Sequence, residues 1–288
     1  MTDMPSKVDV AIAQIEVRSL SPEENRKKLE ETAAEVAAAH GPDLILFPEL
    51  ANTGYVIDRD REFGEQYLRL AETIPGPTTA AVGRVAAARQ VHVIVGLAEA
   101  HPTIPATIYD SAALIGPSGE VVGVQRKLHI PGQEKHYFAR GARPRLFDTE
   151  LGRIGITICY DAFFPELARV LALGGAHFIC CPFNTAARFD HPDTMRAIAQ
   201  TRAIENKLFV ATCNRVGQDH GLQFYGRSAA ADPYGNVLAE AGEDEEILMV
   251  TFDGAELWRE RAYHPVFVDR RPELYGSLTE GADEGTSR

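Results

Sequence analysis

Arg153-Ile154-Gly155-Ile156-Thr157-Ile158-Cys159-Tyr160-Asp161-Ala162-Phe163-Phe164-Pro165-Glu166 is the stretch on which the reading of the fold turns. It opens as a short β-branched apolar run, the pattern of a buried strand, and stops at a cysteine. Pro165 suits the first turn of a helix, and Glu166-Leu-Ala-Arg-Val-Leu-Ala-Leu carries that helix to Gly174-Gly175. Cys159 is therefore expected to end a strand and face the start of a helix. Backbone N–H groups and the helix dipole at such a place favour a thiolate over a thiol and can hold an oxyanion. A structural cysteine would sit as easily inside the strand, so this stretch alone leaves nucleophile and core residue both open.

On either side the chain alternates between strand and helix patterns. Val8–Gln14 reads as a strand, and Ser21-Pro22-Glu23-Glu24 opens a helix running to about His40-Gly41. Strands are expected at 43–47 and 91–97, with a short helix at 61–70 and an alanine-rich one at 78–90. Residues 107–115 and 120–127 form a predicted hairpin around Pro117-Ser118-Gly119. Beyond the central unit come a strand at 176–181, a helix at 192–206 and a strand at 208–213. A second hairpin, 227–232 and 236–240, flanks Pro233-Tyr234-Gly235, and 245–252 closes the regular structure. Early βα units followed by hairpins predict an α/β fold with helices outside mixed sheets. No linker, repeat or low-complexity block divides it, so one domain is expected over 1–276. The polar 277–288 tail, glycine-rich from Gly281, is expected to be disordered.

With 288 residues, 45% hydrophobic and 24% charged, the chain has globular composition and enough length to bury a substantial core. A formal net charge of −12 argues against nucleic acid or an anionic membrane as the main partner. No apolar run is long enough to span a bilayer, and Met1-Thr-Asp-Met-Pro-Ser-Lys7 lacks the apolar core of a signal peptide. A soluble, cytoplasmic protein is the expectation. Of the four cysteines, Cys180, Cys181 and Cys213 each end an apolar run and read as core thiols in a reducing compartment. None forms a C-x-x-C pair or a Cys/His spacing of the zinc type, so no metal or other cofactor is expected.

Two other strand ends carry chemistry. Leu46-Phe47-Pro48-Glu49 puts a carboxylate just past a buried strand, where partial desolvation can raise its pKa toward general-base range. An exposed turn glutamate is the alternative. Gln125-Arg126-Lys127-Leu128-His129-Ile130-Pro131 places a cation at the end of a hairpin strand, or simply forms a solvated basic surface.

Taken together, Pro48-Glu49, Arg126–Pro131 and Cys159-Tyr160-Asp161-x-x-Phe164-Pro165-Glu166 resemble, in order and spacing, the three signature blocks of the nitrilase (carbon–nitrogen hydrolase) superfamily. Asn52-Thr53-Gly54-Tyr55, Glu134-Lys135-His136-Tyr137-Phe138, Arg202-Ala203-Ile204-Glu205-Asn206 and Arg271-Pro272-Glu273-Leu274-Tyr275-Gly276 extend the likeness from about Val8 to Tyr275. The resemblance implies a four-layer α-β-β-α sandwich that dimerises into an eight-layer assembly. It implies a catalytic triad of Glu49, Lys127 and Cys159, with Glu134 as a second glutamate orienting substrate and lysine. Two carboxylates around one lysine and one thiol would keep the lysine cationic and hold the thiol near its protonated state until substrate arrives. Cys159 would form a thioester, Glu49 would take its proton and later activate water, and Lys127 would stabilise the oxyanion beside the backbone N–H of Tyr160.

Within the superfamily, Cys159-Tyr160-Asp161 is similar to the amidase and N-carbamoyl amidohydrolase branches, whereas true nitrilases usually carry Cys-Trp-Glu. The expected substrate is thus a small linear amide, with N-carbamoyl compounds and nitriles as alternatives. The arginine that D-amino-acid carbamoylases place soon after the nucleophile has no counterpart, since Ala162 and Phe163 stand there. Tyr55, Tyr160, Phe164, Phe183 and Asn184 lie just past strand ends expected to converge on Cys159 and are candidate substrate contacts. Core packing is the alternative for the aromatics. His129 is read as a partner of the lysine loop or a substrate contact. A catalytically silent scaffold would be expected to have lost the cysteine or lysine, and both are present.

Overall fold

Strands that are apolar on both faces need cover on both, and the chain supplies it with two sheets and two helix layers. The computed structural model describes residues 4–55 and 61–280. In chain order its first half comprises β1 (Lys7–Gln14), α1 (Pro22–His40), β2 (Leu44–Leu46), α2 (Arg61–Leu70), α3 (Pro77–Arg89), β3 (His92–Ala100), β4 (Ile108–Ile115) and β5 (Val121–Arg126). The second half comprises β6 (Leu146–Thr149), β7 (Gly152–Ile156), α4 (Pro165–Leu173), β8 (Phe178–Pro182), α5 (Thr194–Asn206) and β9 (Phe209–Cys213). It continues with β10 (Val216–Asp219), β11 (Leu222–Tyr225), β12 (Ala229–Ala231), β13 (Val237–Glu240), β14 (Glu246–Asp253) and α6 (Gly254–Tyr263).

Among the described residues the strands form two six-stranded sheets, β14-β1-β2-β3-β4-β5 and β13-β12-β9-β8-β7-β6, plus the hairpin β10-β11. Each sheet has the same plan. Three adjacent parallel strands (β1-β2-β3, and β7-β8-β9) carry one antiparallel strand on one side and two on the other. Side chains divide with the period of two that a strand imposes. Val8, Val10 and Ile12 of β1 enter the core between the sheets, together with Ile154, Ile156, Phe178 and Phe209 of the second sheet. Ala11 and Ala13 face the other way, against Leu29, Ala33 and Val36 of α1 and Val82, Val85 and Ala86 of α3. On the far side α4 and α5 cover the second sheet, through Ala168, Leu171, Met195 and Ala199. The result is the α-β-β-α sandwich expected.

Cys180 and Cys181 lie wholly within β8, and the Cys213 thiol meets the carbonyls of Ala13 and Leu46 in the opposite sheet at 3.4 and 3.3 Å. These three are core thiols, as read from the sequence. The strand patterns did not reveal β6, β10-β11 or α6. The hairpin strands are four residues each and carry polar Gln218, Asp219 and Gln223, so no alternation marks them. Its turn, His220-Gly221, has positive φ at both residues, the conformation a two-residue hairpin loop uses. α6 follows β14 without a gap, capped by Asp253 Oδ1 accepting from Ala255 N–H at 2.8 Å. A short helical turn, Gly276–Leu278, occupies the start of the stretch expected to be a tail, and residues 281–288 lie outside the described residues. No described helix is long and apolar enough to cross a membrane.

The centre of the inter-sheet core is aromatic. Phe252 of β14 stacks on Phe209 of β9 at 4.6 Å between centroids and meets Phe178 of β8 at 5.5 Å. Truncation by Phe252→Ala should therefore remove ~3–5 kcal/mol of stability, by lost burial and a cavity between sheets that cannot collapse onto each other. Chemical denaturation followed by circular dichroism measures this. A loss below about 1 kcal/mol would mean the sheets do not depend on this stack.

Candidate active site

The C-terminal ends of the parallel strands open onto one crevice, where open α/β sheets bind ligands. Glu49 lies three residues beyond β2 and has no exposed surface. Its backbone is fixed from the other sheet: Glu49 N–H donates to the Phe183 carbonyl at 3.2 Å, and Asn184 Nδ2 donates to the Glu49 carbonyl at 3.0 Å. Gly96 of β3 backs it so tightly that a Cβ there would fall 2.4 Å from Glu49 Cα and 2.5 Å from the Pro48 oxygen. Leu50 then turns with φ +49°, a left-handed conformation that sends the chain away from the crevice.

Lys127 follows directly on β5. Its N–H donates to the Asp110 carbonyl and its carbonyl accepts from Gly141, both at 2.8 Å. The ammonium is sealed from solvent and surrounded by carboxylates: Glu49 Oε1 at 2.6 Å, Glu134 Oε2 at 2.7 Å and Asp110 Oδ2 at 3.1 Å. Glu134 comes from the 3₁₀ turn Gly132–His136, and its other oxygen accepts from the Tyr55 hydroxyl at 3.0 Å. Burial pulls the lysine pKa down, but the attraction of Glu134, Glu49 and Asp110 more than reverses this and holds the ammonium above the ordinary lysine value. Burial pushes Glu134 up from the usual carboxylate range, with Lys127 opposing and Asp110 adding. The oxygens of Glu49, Asp110 and Glu134 lie within 4.8 Å of one another, a spacing that could hold a metal ion. The Lys127 ammonium already contacts all three, so the position a cation would take belongs to the lysine.

Cys159 lies past the end of β7 with φ +47°, a strained left-handed conformation for a residue with a side chain. A 3₁₀ turn, Cys159–Phe163, separates it from α4. The pull of the helix start toward a thiolate is outweighed here, in the direction expected of a thiol beside two carboxylates. Burial pushes the thiol well above its ordinary value, Glu49 and Glu134 push it further, and Lys127 and the backbone N–H of Asn184 oppose them. The balance favours the neutral thiol at rest.

Asp161 ties the cysteine loop to the lysine loop. Its carboxylate accepts from the N–H groups of Leu128 (3.2 Å), His129 (2.8 Å) and Ile158 (3.3 Å), and pairs with His129 Nδ1 at 2.8 Å. From α5, Arg202 donates to the carbonyls of Ala162 and Phe163 at 2.9 and 3.2 Å, fastening the same turn from below.

Of the residues picked from the sequence, Glu49, Lys127, Glu134 and Tyr55 meet in one hydrogen-bonded cluster, and Cys159 and the Asn184 backbone face it. The Phe183 side chain is fully buried in the hydrophobic core, and its carbonyl accepts from the Glu49 N–H. Tyr160, more than a third exposed, packs on Phe163 and Phe164, and Phe164 stacks on the His129 imidazole at 3.7 Å. Asp110, Asp161 and Gly96 were not singled out in the sequence. The signal for Asp110 is a carboxylate inside the apolar run Ile108–Ile115, which is costly unless paired. Asp161 and Gly96 give no such signal, because their roles depend on loops brought together from distant parts of the chain.

The carbon-nitrogen hydrolase family matches residues 9–260. A nitrilase of Pyrococcus abyssi is 37% identical over 273 residues, covering 93% of this chain and 99% of its own. An (R)-stereoselective amidase of a Pseudomonas species is 37% identical over 247 residues, 84% of each chain. Among solved structures, a variant of the amidase from Nesterenkonia sp. AN1 shows covalent addition of the acetamide moiety of fluoroacetamide at the active-site cysteine. That structure superposes with a TM-score of 0.80 at 26% identity, covering 96% of this chain and 98% of its own.

The thiol's surroundings can be tested directly. Cys159 keeps 8% of its surface while the other three cysteines keep 1% or less, so iodoacetamide should add once per folded chain, at Cys159. The rate should rise with pH through a midpoint above the ~8.5 of a free thiol, as read by intact mass. Glu49→Gln, which removes the nearest opposing charge, should move that midpoint down. A wild-type midpoint at or below ~8.5 would contradict the electrostatics described.

Proposed function

Because the chain belongs to the carbon-nitrogen hydrolase family, in the amidase-like branch of the nitrilase superfamily, and is thereby an amide-hydrolysing enzyme, we propose that it cleaves a small linear amide to carboxylate and ammonia through a thioester on Cys159. The observation that carries this reading is the Lys127 ammonium, locked between Glu49 and Glu134 in a dry cluster facing a cysteine on a strained turn.

The steps follow from the placement of charge. Glu49 takes the thiol proton as sulfur attacks the amide carbon, and the carbonyl oxygen becomes an oxyanion. Lys127 and the Tyr160 N–H stabilise it as fixed positive poles in a site shielded from bulk solvent. Glu49 returns the proton to the leaving nitrogen, ammonia departs, and the C–N bond is replaced by a C–S bond. Water enters, gives a proton to Glu49, and attacks the thioester through a second oxyanion. Collapse frees the carboxylic acid and restores the thiol. Glu134 is anchored by Tyr55 and Lys127, which suits it to accept an N–H of the amide and so orient the substrate.

A homodimer is part of the same reading. Val170 and Leu173 of α4 and Ile204 of α5 are about half exposed, and this apolar face supports the packing of a second copy against the outer helix layer.

Ammonia release from simple amides, N-carbamoyl amines and acids, and matched nitriles tests the reading. Amides should be turned over, and Cys159→Ala should lose more than about 10⁴-fold while remaining folded. Turnover unchanged in that variant would sink the nucleophile assignment. Preference for N-carbamoyl compounds would move the substrate class to ureido groups, and preference for nitriles would overturn the choice of branch. Gly96→Ala, which must displace Glu49, should lower kcat by about 100-fold with the fold retained. An unaffected kcat would mean that the position of Glu49 is not critical.

A further inference from the structure

The cluster around Lys127 contains one acid more than the proposed chemistry uses. Asp110 projects from β4, has no exposed surface and holds Oδ2 3.1 Å from the Lys127 ammonium. Beyond that ammonium on Oδ2, Asp110 has no hydrogen-bond donor among the described residues, and Oδ1 and Glu49 Oε2 have none at all. Glu134, by contrast, is fully engaged, with Tyr55 on one oxygen and Lys127 on the other. Three ionised carboxylates with oxygens within 4.8 Å of one another and a single ammonium among them would leave a net charge of −2 with no water to solvate it. Like charges so close do not all ionise, and one of the acids keeps its proton.

We propose that Asp110 is a neutral carboxylic acid at neutral pH and donates its proton to Glu49 Oε2. It would thus be a positioning residue that aims the general base. The two unpartnered oxygens, Asp110 Oδ1 and Glu49 Oε2, are then accounted for together, and Oδ2 keeps the Lys127 ammonium. Glu49 Oε1 faces Lys127, Oε2 faces the Asp110 O–H, and the carboxylate is held in one plane with a lone pair left for the thiol proton. The direction of the Asp110 pKa agrees: burial first, then the Glu49 charge, push it well above the usual carboxylate range, and Lys127 only partly opposes them. The other ionisable groups facing it are Glu134 from the 3₁₀ turn and Tyr67 from α2. Tyr67 is itself raised by burial and donates its own hydrogen bond to the Gly54 carbonyl at 2.9 Å. None of these supplies a second positive charge.

The inference rests on Glu49 being the base, as read above, but the location of the proton can be measured without turnover. Infrared spectroscopy of wild type and of Cys159→Ala at neutral pH should show the C=O stretch of a protonated carboxyl, and Asp110→Asn should abolish it. Kinetically, Asp110→Ala should lose roughly 10- to 100-fold in kcat with little change in KM, since a charged hydrogen bond to the base is removed. Asp110→Asn, a neutral donor of the same shape, should rescue turnover to within about threefold. The sign of the pH effect follows. Raising the pH far enough strips the shared proton from wild type, adds a negative charge beside Lys127 and lowers kcat. The asparagine variant has no proton there to lose, so its alkaline limb should move to higher pH.

Absence of the protonated-carboxyl band in wild type would overturn the proposal, as would an Asp110→Asn variant as damaged as Asp110→Ala. If Asp110→Ala does not fold, the band and the asparagine pH profile decide. An active Cys159→Ala would instead count against the catalytic reading and leave the infrared result standing.

Discussion

Everything in the crevice depends on one buried ammonium. A lysine sealed from water is tolerable only if opposite charges and hydrogen-bond acceptors replace its hydration, and here Glu49, Glu134 and Asp110 do so at 2.6 to 3.1 Å. The dependence is mutual, because carboxylates at that depth are equally costly without the lysine. The four residues come from the exit of β2, from β4, from the exit of β5 and from a 3₁₀ turn, so no local segment can assemble the site. Only the assembled first sheet, with the turn that follows β5, brings the charges to distances at which they compensate.

The two sheets contribute different halves of the chemistry proposed. The first supplies Glu49, Asp110 and Lys127, and the second supplies Cys159 and the Asn184 backbone. They are held in register by few but direct contacts. The Phe183 carbonyl and the Asn184 side chain hold the Glu49 backbone across the sheet interface. The Asp161 carboxylate gathers N–H groups from the lysine loop and the cysteine loop alike. A left-handed Cys159 costs of order 1–3 kcal/mol, and it persists because Asp161 and Arg202 fasten the turn that follows.

How much of this was legible in the sequence divides along physical lines. The central strand-cysteine-helix unit, the βα alternation and the hairpins β4-β5 and β12-β13 were readable because each is set by local periodicity and by turn residues. β6 and the β10-β11 hairpin were not, since strands of four residues give too little alternation, and α6 was not, since it buries only Gly254, Leu257 and Glu260 and so has no apolar stripe. In the site, Glu49, Lys127, Glu134 and Cys159 could be picked through motif likeness, and the structure brings them together. Phe183 looked equally eligible from its place after β8, yet its side chain turns into the core while its carbonyl serves the site. The protonation state of Cys159 depends on signals of two ranges. The helix start is a local feature visible in sequence, whereas the burial and the carboxylates that outweigh it arrive from residues about 25 to 110 positions away.

That balance shapes the course of the reaction proposed. If the thiol is neutral at rest and Glu49 ionised, transfer of the proton from sulfur to Glu49 creates no new charge; it moves one negative charge from oxygen to sulfur inside a closed, dry volume. Lys127 pairs with the charge at the start of this step, and once sulfur attacks it must pair with the charge developing on the carbonyl oxygen. The barrier is then governed by how evenly the ammonium is shared among these positions. Three anchoring acids, all ionised, would bind the lysine so strongly that little of its field would reach the oxyanion. A cluster in which one acid is neutral holds the lysine in place and leaves that field available to the transition state.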